Sequence, residues 1–280
     1  MNDFGVYRSP PVVLTIAGSD SGGGAGIQAD IKTISATGSY ACSVITAITA
    51  QNTQGVSKVF PLPAEQVEAQ LATVLSDLNV VAIKIGMLSD ANIIQVVAKY
   101  LRKYTPAFSI LDPVLVSTSG TPLLESSAVE ALKAELIPYV DMITPNLPES
   151  AFLATGKQGS RDFDVVMLGT RLLQIGAKSV LLKGGHAENS NTSCDWLFDG
   201  AEALPFSTQR IITNNSHGTG CTLSSAIASY RAQGKSPVEA VAKAKEYIFQ
   251  ALRYADKLSV GQGRGPVNHF YAATQAYINE

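Results

Sequence analysis

Alternation constrains this chain more than any other feature. Short apolar runs of strand length are followed repeatedly by segments of ten or more residues with helical spacing. Val12 to Ala17 (VVLTIA) is the first such run; it stops at Gly18 and leads through a glycine-rich turn into a helix-spaced segment, Ile27 to Thr37. The same pattern predicts strands over Cys42 to Thr49, Val56 to Phe60, Val80 to Ile85, Phe108 to Leu111, Asp141 to Thr144 and Ser179 to Lys183. It predicts helices over Ala64 to Leu78, Asp90 to Tyr104, a stretch ending near Pro138, Arg161 to Gln174, about Cys221 to Gln233 and about Pro237 to Ala255. Cys194 to Phe198 and Ala203 to Ser207, joined across Asp199-Gly200, read as a hairpin. Such alternation specifies an α/β fold, a mostly parallel sheet with helices on both faces. In such folds ligands sit beyond the carboxyl ends of the strands. Asp20, Gly86-Met87, Asp112, Asn146 with Glu149, and Lys183 all fall there.

At 280 residues and 46% hydrophobic content the chain can fill one large core. No repeat, low-complexity stretch or linker divides it, so a single domain over 1–280 is expected, with its core at about 12–270. A net charge of −2 and no basic block argue against a nucleic-acid surface. No apolar stretch approaches the roughly 20 residues of a membrane span, and Met1 to Pro11 lack the pattern of a signal peptide. Cys42, Cys194 and Cys221 are odd in number and widely spaced, which suits neither a disulfide framework nor a zinc site. A reducing, cytoplasmic setting is expected.

The turn Gly18 to Gly26 (GSDSGGGAG) carries five glycines between strand and helix, which lets backbone approach a ligand closely. Gly24-x-Gly26-x-x-Ala29 satisfies a dinucleotide fingerprint, but that motif needs an acidic residue about 20 positions on, and none occurs between Ile31 and Ala64. A nicotinamide site is rejected. Asp30 has two readings: a favourable contact with the helix N-terminus, or a carboxylate accepting hydrogen bonds from a heterocyclic amine or hydroxymethyl group.

Asn215 to Thr222 (NSHGTGCT) places small residues directly before a helix. Free N–H groups there make an anion site, suited to charge developing on a transferring phosphoryl group. Cys221 at that helix end is expected to have a lowered thiol pKa; the ordinary reading is a small buried apolar residue. Asn146 and Glu149, three apart after a strand, could hold Mg²⁺ through oxygen and water, or could be a helix cap and a solvated carboxylate. Asp112, ending another strand, could join them. Lys183, before Gly184-Gly185-His186, suits a phosphate contact or an ordinary surface position. The chain has no G-x-x-x-x-G-K-[ST], G-x-S-x-G or H-E-x-x-H motif.

Together these segments resemble the ribokinase-like superfamily, and within it the hydroxymethylpyrimidine/phosphomethylpyrimidine kinases of thiamine biosynthesis. The carriers are LTIAGSDSGGGAGIQAD (14–30), SVITAITAQNTQGV (43–56), KIGML (84–88), LDPVLVSTSG (111–120), ITPNLPE (143–149), LLKGGH (181–186), NNSHGTGCTLSSAIA (214–228) and GQGRGPVNHF (261–270). The resemblance implies a three-layer α/β/α fold with a small β-hairpin edge, ATP and Mg²⁺ as cofactors, and a homodimer. It implies two successive phosphorylations of the hydroxymethylpyrimidine. Gln51 would bond the aminopyrimidine edge with Asp30 beside it, and Ala25, Met87 and Val114 would pack on the ring. Glu149 and Asp112 would serve Mg²⁺; Asn146 and Lys183 would contact ATP phosphates; Gly218, Thr219 and Gly220 would form the anion hole. Cys221 stands where many ribokinase-like sugar kinases carry Asp, so its thiolate would accept the hydroxyl proton or merely steer the hydroxyl. Ser21-Gly22-Gly23-Gly24 departs from the more usual Pro-Ser-Gly-Gly. The nearest rival is a pyridoxal/pyridoxine kinase; Gln51 and the cysteine-bearing anion loop favour the pyrimidine enzyme. A non-catalytic nucleotide sensor is disfavoured by the intact set Asp112, Asn146, Glu149, Lys183 and Cys221. A bifunctional thiamine enzyme is not expected at this length. Either of the loops at Ser117 to Thr121 and around Glu188 to Ser193 could close over the site.

Overall fold

The computed structural model describes residues 9–115, 126–156, 164–184, 191–200 and 202–273. In chain order the elements are β1 (Val12–Asp20), α1 (Gly26–Ala36), β2 (Tyr40–Asn52), β3 (Gly55–Pro61), α2 (Ala64–Asp77), β4 (Val80–Ile85), α3 (Ala91–Tyr104), β5 (Phe108–Leu111) and α4 (Ser126–Ala131). They continue with β6 (Met142–Ile143), α5 (Leu147–Thr155), α6 (Val165–Gln174), β7 (Val180–Leu182), β8 (Thr192–Phe198), β9 (Ala203–Gln209), α7 (Thr219–Ala232) and α8 (Pro237–Arg253). The loop expected at Ser117 to Thr121 lies outside the described residues, as do 188–190 of the second expected loop and the start of the helix expected from Arg161.

One sheet runs in the order β3-β2-β1-β4-β5-β6-β7-β8-β9 among the described residues. The six strands from β2 to β7 are parallel, whereas β3 pairs antiparallel with β2, and β8 and β9 close the other edge as an antiparallel hairpin. Each parallel strand is apolar on both faces, as a sheet covered on both sides requires. Leu14, Ile16, Ile83, Ile85 and Leu111 point into one core with Val67, Leu71, Ile93, Val97 and Leu168 from α2, α3 and α6. Val13, Ala82, Phe108 and Ile110 point into the other with Ile34, Ile227, Ala244 and Ile248 from α1, α7 and α8. Three layers result, as the alternation predicts.

Local signals set the helix ends. The Asp90 carboxylate accepts from Asn92 and Ile93 N–H groups and starts α3. Ser236 and Glu239 form a reciprocal capping box that starts α8, a device whose loss costs about 1 kcal/mol. The sequence reading passed over α5. Its Leu-Pro start reads as a turn, yet proline fits the first helical turn, where its missing N–H has no partner to lose. Asn146 and Glu149 form a second capping box there.

Candidate functional site

A cavity of about 1100 Å³ opens at the carboxyl ends of the parallel strands. That is room for a nucleotide and a second small molecule together. Every expected site residue except one lines it: Ala25, Gln51, Met87, Asp112, Val114, Asn146, Glu149, Lys183, Gly218, Thr219, Gly220 and Cys221.

The exception is Asp30. It is fully buried beneath the cavity, and its oxygens are already engaged. Lys84 Nζ bonds both at 2.8 Å, Thr15 Oγ1 donates to Oδ2 at 2.6 Å, and Ser225 Oγ donates to Oδ1 at 2.8 Å. The expected contact with substrate is therefore corrected: Asp30 holds Lys84, and Lys84 is the residue that reaches the cavity wall. Burial alone would lower the Lys84 pKa, but Asp30 outweighs it, with Cys221 and Asp112 adding, and the ammonium is held above its ordinary value.

At one end of the cavity Gln51 and Met87 stand near Asp20 and His217. Asp20 accepts backbone N–H bonds from Gly22, Gly24 and Ala25, and His217 Nε2 lies 3.0 Å from its Oδ2. Burial works to raise the Asp20 pKa; the bonds from His217, Ala25 and Gly22 prevail and leave it below the usual range.

The middle of the cavity is charged. Lys183, just past β7, bonds Asp112 Oδ1 at 2.6 Å, and Thr144 Oγ1 donates to the same oxygen at 3.1 Å. A bridge between Asn146 and Lys183 sets the ends of β6 and β7 side by side. Asn146 Oδ1 caps the Glu149 N–H, and Glu149 Oε2 accepts from Asn146 N, each at 2.8 Å. The cap reading of Asn146 thus holds, but Glu149 is buried rather than solvated. Burial pushes Glu149 up to about 7; Lys183 pulls it down and Asp112 pushes it further up. Burial would lower Lys183, yet Asp112 and Glu149 raise it overall. Asp112 thus binds this ammonium directly, and Glu149 feels its charge. Among the described residues no cluster of three or more His, Cys, Asp or Glu is gathered as a metal cage.

The N-terminus of α7 points at this charged centre. A Cβ on Gly220 would lie 3.2 Å from Asp112 Oδ2 and 3.3 Å from Lys183 Nζ. Gly218, the N-cap, has φ +80°, and a methyl group there would collide with the Gly24 carbonyl oxygen, so glycine is required twice over. The lowered thiol pKa expected for Cys221 is overturned. Burial pushes the thiol up to about 11; Lys84 pulls it down, while Asp30 and Asp112 push it up. Desolvation at the half-buried floor of the cavity outweighs the helix end.

Sequence reasoning missed the far end. Lys245, Ile248, Phe249 and Leu252 line the cavity from α8, opposite Leu223 and Ile211. Their spacing puts them on one helix face, which reads in sequence as an ordinary core stripe. Lys245 also bonds Asp195 Oδ2 at 2.6 Å and Ser193 Oγ at 3.1 Å. Apolar side chains of α8, the polar group around Gln51 and the N-terminus of α7 all face one cavity, an arrangement suited to moving a phosphoryl group between two small molecules.

The class is that of the ribokinase-like small-molecule kinases, and solved structures agree. The pyridoxal kinase from Staphylococcus aureus in complex with AMP-PCP and pyridoxal superposes with a TM-score of 0.84, 34% identity, and 94% of each chain covered. Phosphomethylpyrimidine kinase from Clostridium difficile gives a TM-score of 0.75 and 44% identity over 86% of this chain and 99% of that one. Hydroxymethylpyrimidine/phosphomethylpyrimidine kinase of Salmonella typhimurium is 48% identical over 92% of this chain and 97% of its own length. Residues 20–268 match the phosphomethylpyrimidine kinase family model, and the chain belongs to that family.

Proposed function

We propose that this enzyme transfers the γ-phosphoryl group of ATP to the hydroxymethyl oxygen of 4-amino-5-hydroxymethyl-2-methylpyrimidine, and then to the monophosphate so formed, yielding the diphosphate for thiamine biosynthesis. The observation that carries this reading is the meeting of the α7 N-terminus, Lys183 and Asp112 within one cavity that also holds Gln51. The adenine lies on the α8 shelf. Lys183 and Asn146 meet the phosphates, and the N–H groups of Gly218, Thr219 and Gly220 receive the charge that spreads over the transferring oxygens. Ala25, Met87 and Val114 hold the acceptor ring against Gln51.

Asp112 and Glu149 fit Mg²⁺, which takes oxygen ligands, keeps several waters and shares phosphate oxygens. Two carboxylates stand against one lysine here; burial first, and then Asp112, push Glu149 up against the pull of Lys183. When bound, the ion would neutralise phosphate charge. Transfer through a loose transition state needs little help from a base. Cys221 therefore acts with its thiol intact, orienting the acceptor hydroxyl, and the hydroxyl proton leaves to a phosphoryl oxygen or to water.

We further infer a homodimer from the family resemblance, testable by sedimentation equilibrium, and a cytoplasmic setting, which three free cysteines suit. No helix among the described residues is long and apolar enough to cross a membrane. The deciding assay couples ADP release to Mg-ATP with three acceptors: the hydroxymethylpyrimidine, its monophosphate and pyridoxine. Turnover of the first two above the third is expected. Turnover of pyridoxine alone would move the enzyme to vitamin B6 chemistry.

A further inference from the structure

We propose that His217 and Asp20 are positioning residues that lock the Gln51 carboxamide with its oxygen toward the imidazole and its NH₂ toward Thr49, and so fix which way round an aminopyrimidine enters. The proposal rests on the pyrimidine-kinase reading above and deepens it.

Three segments distant in sequence converge here. Asp20 ends β1, Gln51 lies at an irregularity near the end of β2, and His217 precedes α7. Ser21 pins the Gln51 backbone from both sides, taking its N–H at 2.9 Å and donating to its carbonyl at 2.7 Å. The side chain is thus the free variable.

Two hydrogen-bond constraints act on it. The Asp20 carboxylate only accepts: Gly22 donates to Oδ1, and Gly24 and Ala25 donate to Oδ2. His217 Nε2, 3.0 Å from Oδ2, must therefore carry hydrogen. The same Nε2 stands 2.8 Å from Gln51 Nε2. Two hydrogen-bearing nitrogens at that distance have no lone pair between them. At the other side Gln51 Oε1 faces Thr49 Oγ1 at 3.2 Å, but the single hydroxyl hydrogen of Thr49 is directed to the Ser19 carbonyl at 2.9 Å. Thr49 Oγ1 can then only accept. A half-turn of the carboxamide relieves the clash of hydrogens, because its O and N ends have nearly the same shape and the network decides between them: the single Nε2 hydrogen of His217 is then shared between Asp20 Oδ2 and the carboxamide oxygen in a three-centre bond.

In that orientation Oε1 shares the His217 hydrogen with Asp20 Oδ2, and Nε2 donates to Thr49. One lone pair and one hydrogen remain for a ligand. They match an aminopyrimidine edge, where a ring nitrogen accepts and the adjacent exocyclic amine donates. The amine then lies on the His217 side and the ring nitrogen on the Thr49 side. A pyridine with no amine beside its ring nitrogen cannot use both. His217 and Asp20 thus set substrate selectivity without touching the reacting atoms.

Two measurements on the full chain test this. Nitrogen-15 NMR of the histidine rings, with three histidines to assign, is expected to show His217 protonated at Nε2. A bare Nε2 with hydrogen on Nδ1 alone overturns the proposal, whatever any variant does. Steady-state kinetics then compares His217→Phe with wild type. The ratio of kcat/KM for the pyrimidine over pyridoxine is expected to fall about ten- to a hundredfold, the cost of a partner left unpaired. The change should lie mainly in the pyrimidine KM, with the ATP KM within about twofold and partial recovery in His217→Asn, which keeps a donor. An unchanged ratio in a folded variant overturns the proposal. A wild type that phosphorylates no pyrimidine would instead overturn the functional reading and leave the protonation of His217 to be judged by NMR.

Discussion

Two lysine–aspartate pairs lie beneath and within the cavity, and they differ in how fully they are enclosed. Lys84–Asp30 has 0% side-chain exposure on both partners, and Thr15 and Ser225 engage the aspartate further. Lys183–Asp112 leaves 14% of its lysine exposed, shares it with Glu149 and faces the end of α7. The first pair is closed: its charges are spent on each other and on β1, β4, α1 and α7. The second is open, with carboxylate charge left over and a cavity to receive a partner for it. Identical chemistry is sealed in one place and faces a cavity in the other, and completeness of the local network sets them apart.

The largest effect should come from opening the closed pair. Lys84→Met leaves Asp30 buried and unpaired, which costs about 3–5 kcal/mol, or a melting temperature lower by about 10 °C for a chain of this size. Adding Asp30→Asn should restore much of that. A single variant within about 1 kcal/mol of wild type would erase the distinction between the pairs. Lys183→Met should weigh the other way: kcat falls by about 10²–10³, while the loss of stability stays smaller than that of Lys84→Met, because the freed Asp112 lines the cavity.

A buried histidine must be separated before acid is used to probe either pair. His269 is buried, bonds Thr222 Oγ1 at 3.0 Å, and is held down to about 4 by burial and then by Lys32. Its folded pKa lies below its unfolded value, so the unfolded chain binds more protons between about 6.5 and 4. The stabilisation is full above about pH 6.5 and is lost as pH falls toward 4. Chemical denaturation at pH 7 and pH 5 should differ by on the order of 1–2 kcal/mol from this group, and His269→Gln should flatten the slope.

The smallest effect is expected at Cys221, which feels Lys84 on one side and Asp112 on the other. With the thiol protonated, Cys221→Ser should keep kcat within about tenfold of wild type, with no thiol limb in the pH–rate profile. A loss of several orders of magnitude would restore the thiolate as base.

Much of this was legible in the chain itself. The parallel strands appear as apolar runs because both faces of the sheet are covered, and the hairpin appears through Asp199-Gly200. The glycine-rich stretch before α7 announces a helix N-terminus that opens on the cavity. What stayed hidden depends on partners far apart in sequence. Asp30 resembles a ligand group until Lys84, 54 positions on, is found against it. Gln51 and His217 are separated by 166 positions, so the meaning of that histidine exists only in the folded molecule. Helix α5 was hidden by its own cap, because asparagine and proline before a helix use the vocabulary of turns.

Gly218 and Gly24 meet main chain to main chain, with no room for a side chain on the former. The glycine-rich turn after β1 and the loop leading into α7 are therefore spaced by peptide geometry instead of by rotamers. Such a contact works as a ruler. A larger residue at position 218 would lengthen it and move the two loops apart, so tolerance for change at the one is coupled to the other, and any widening of the cavity must come from its other walls.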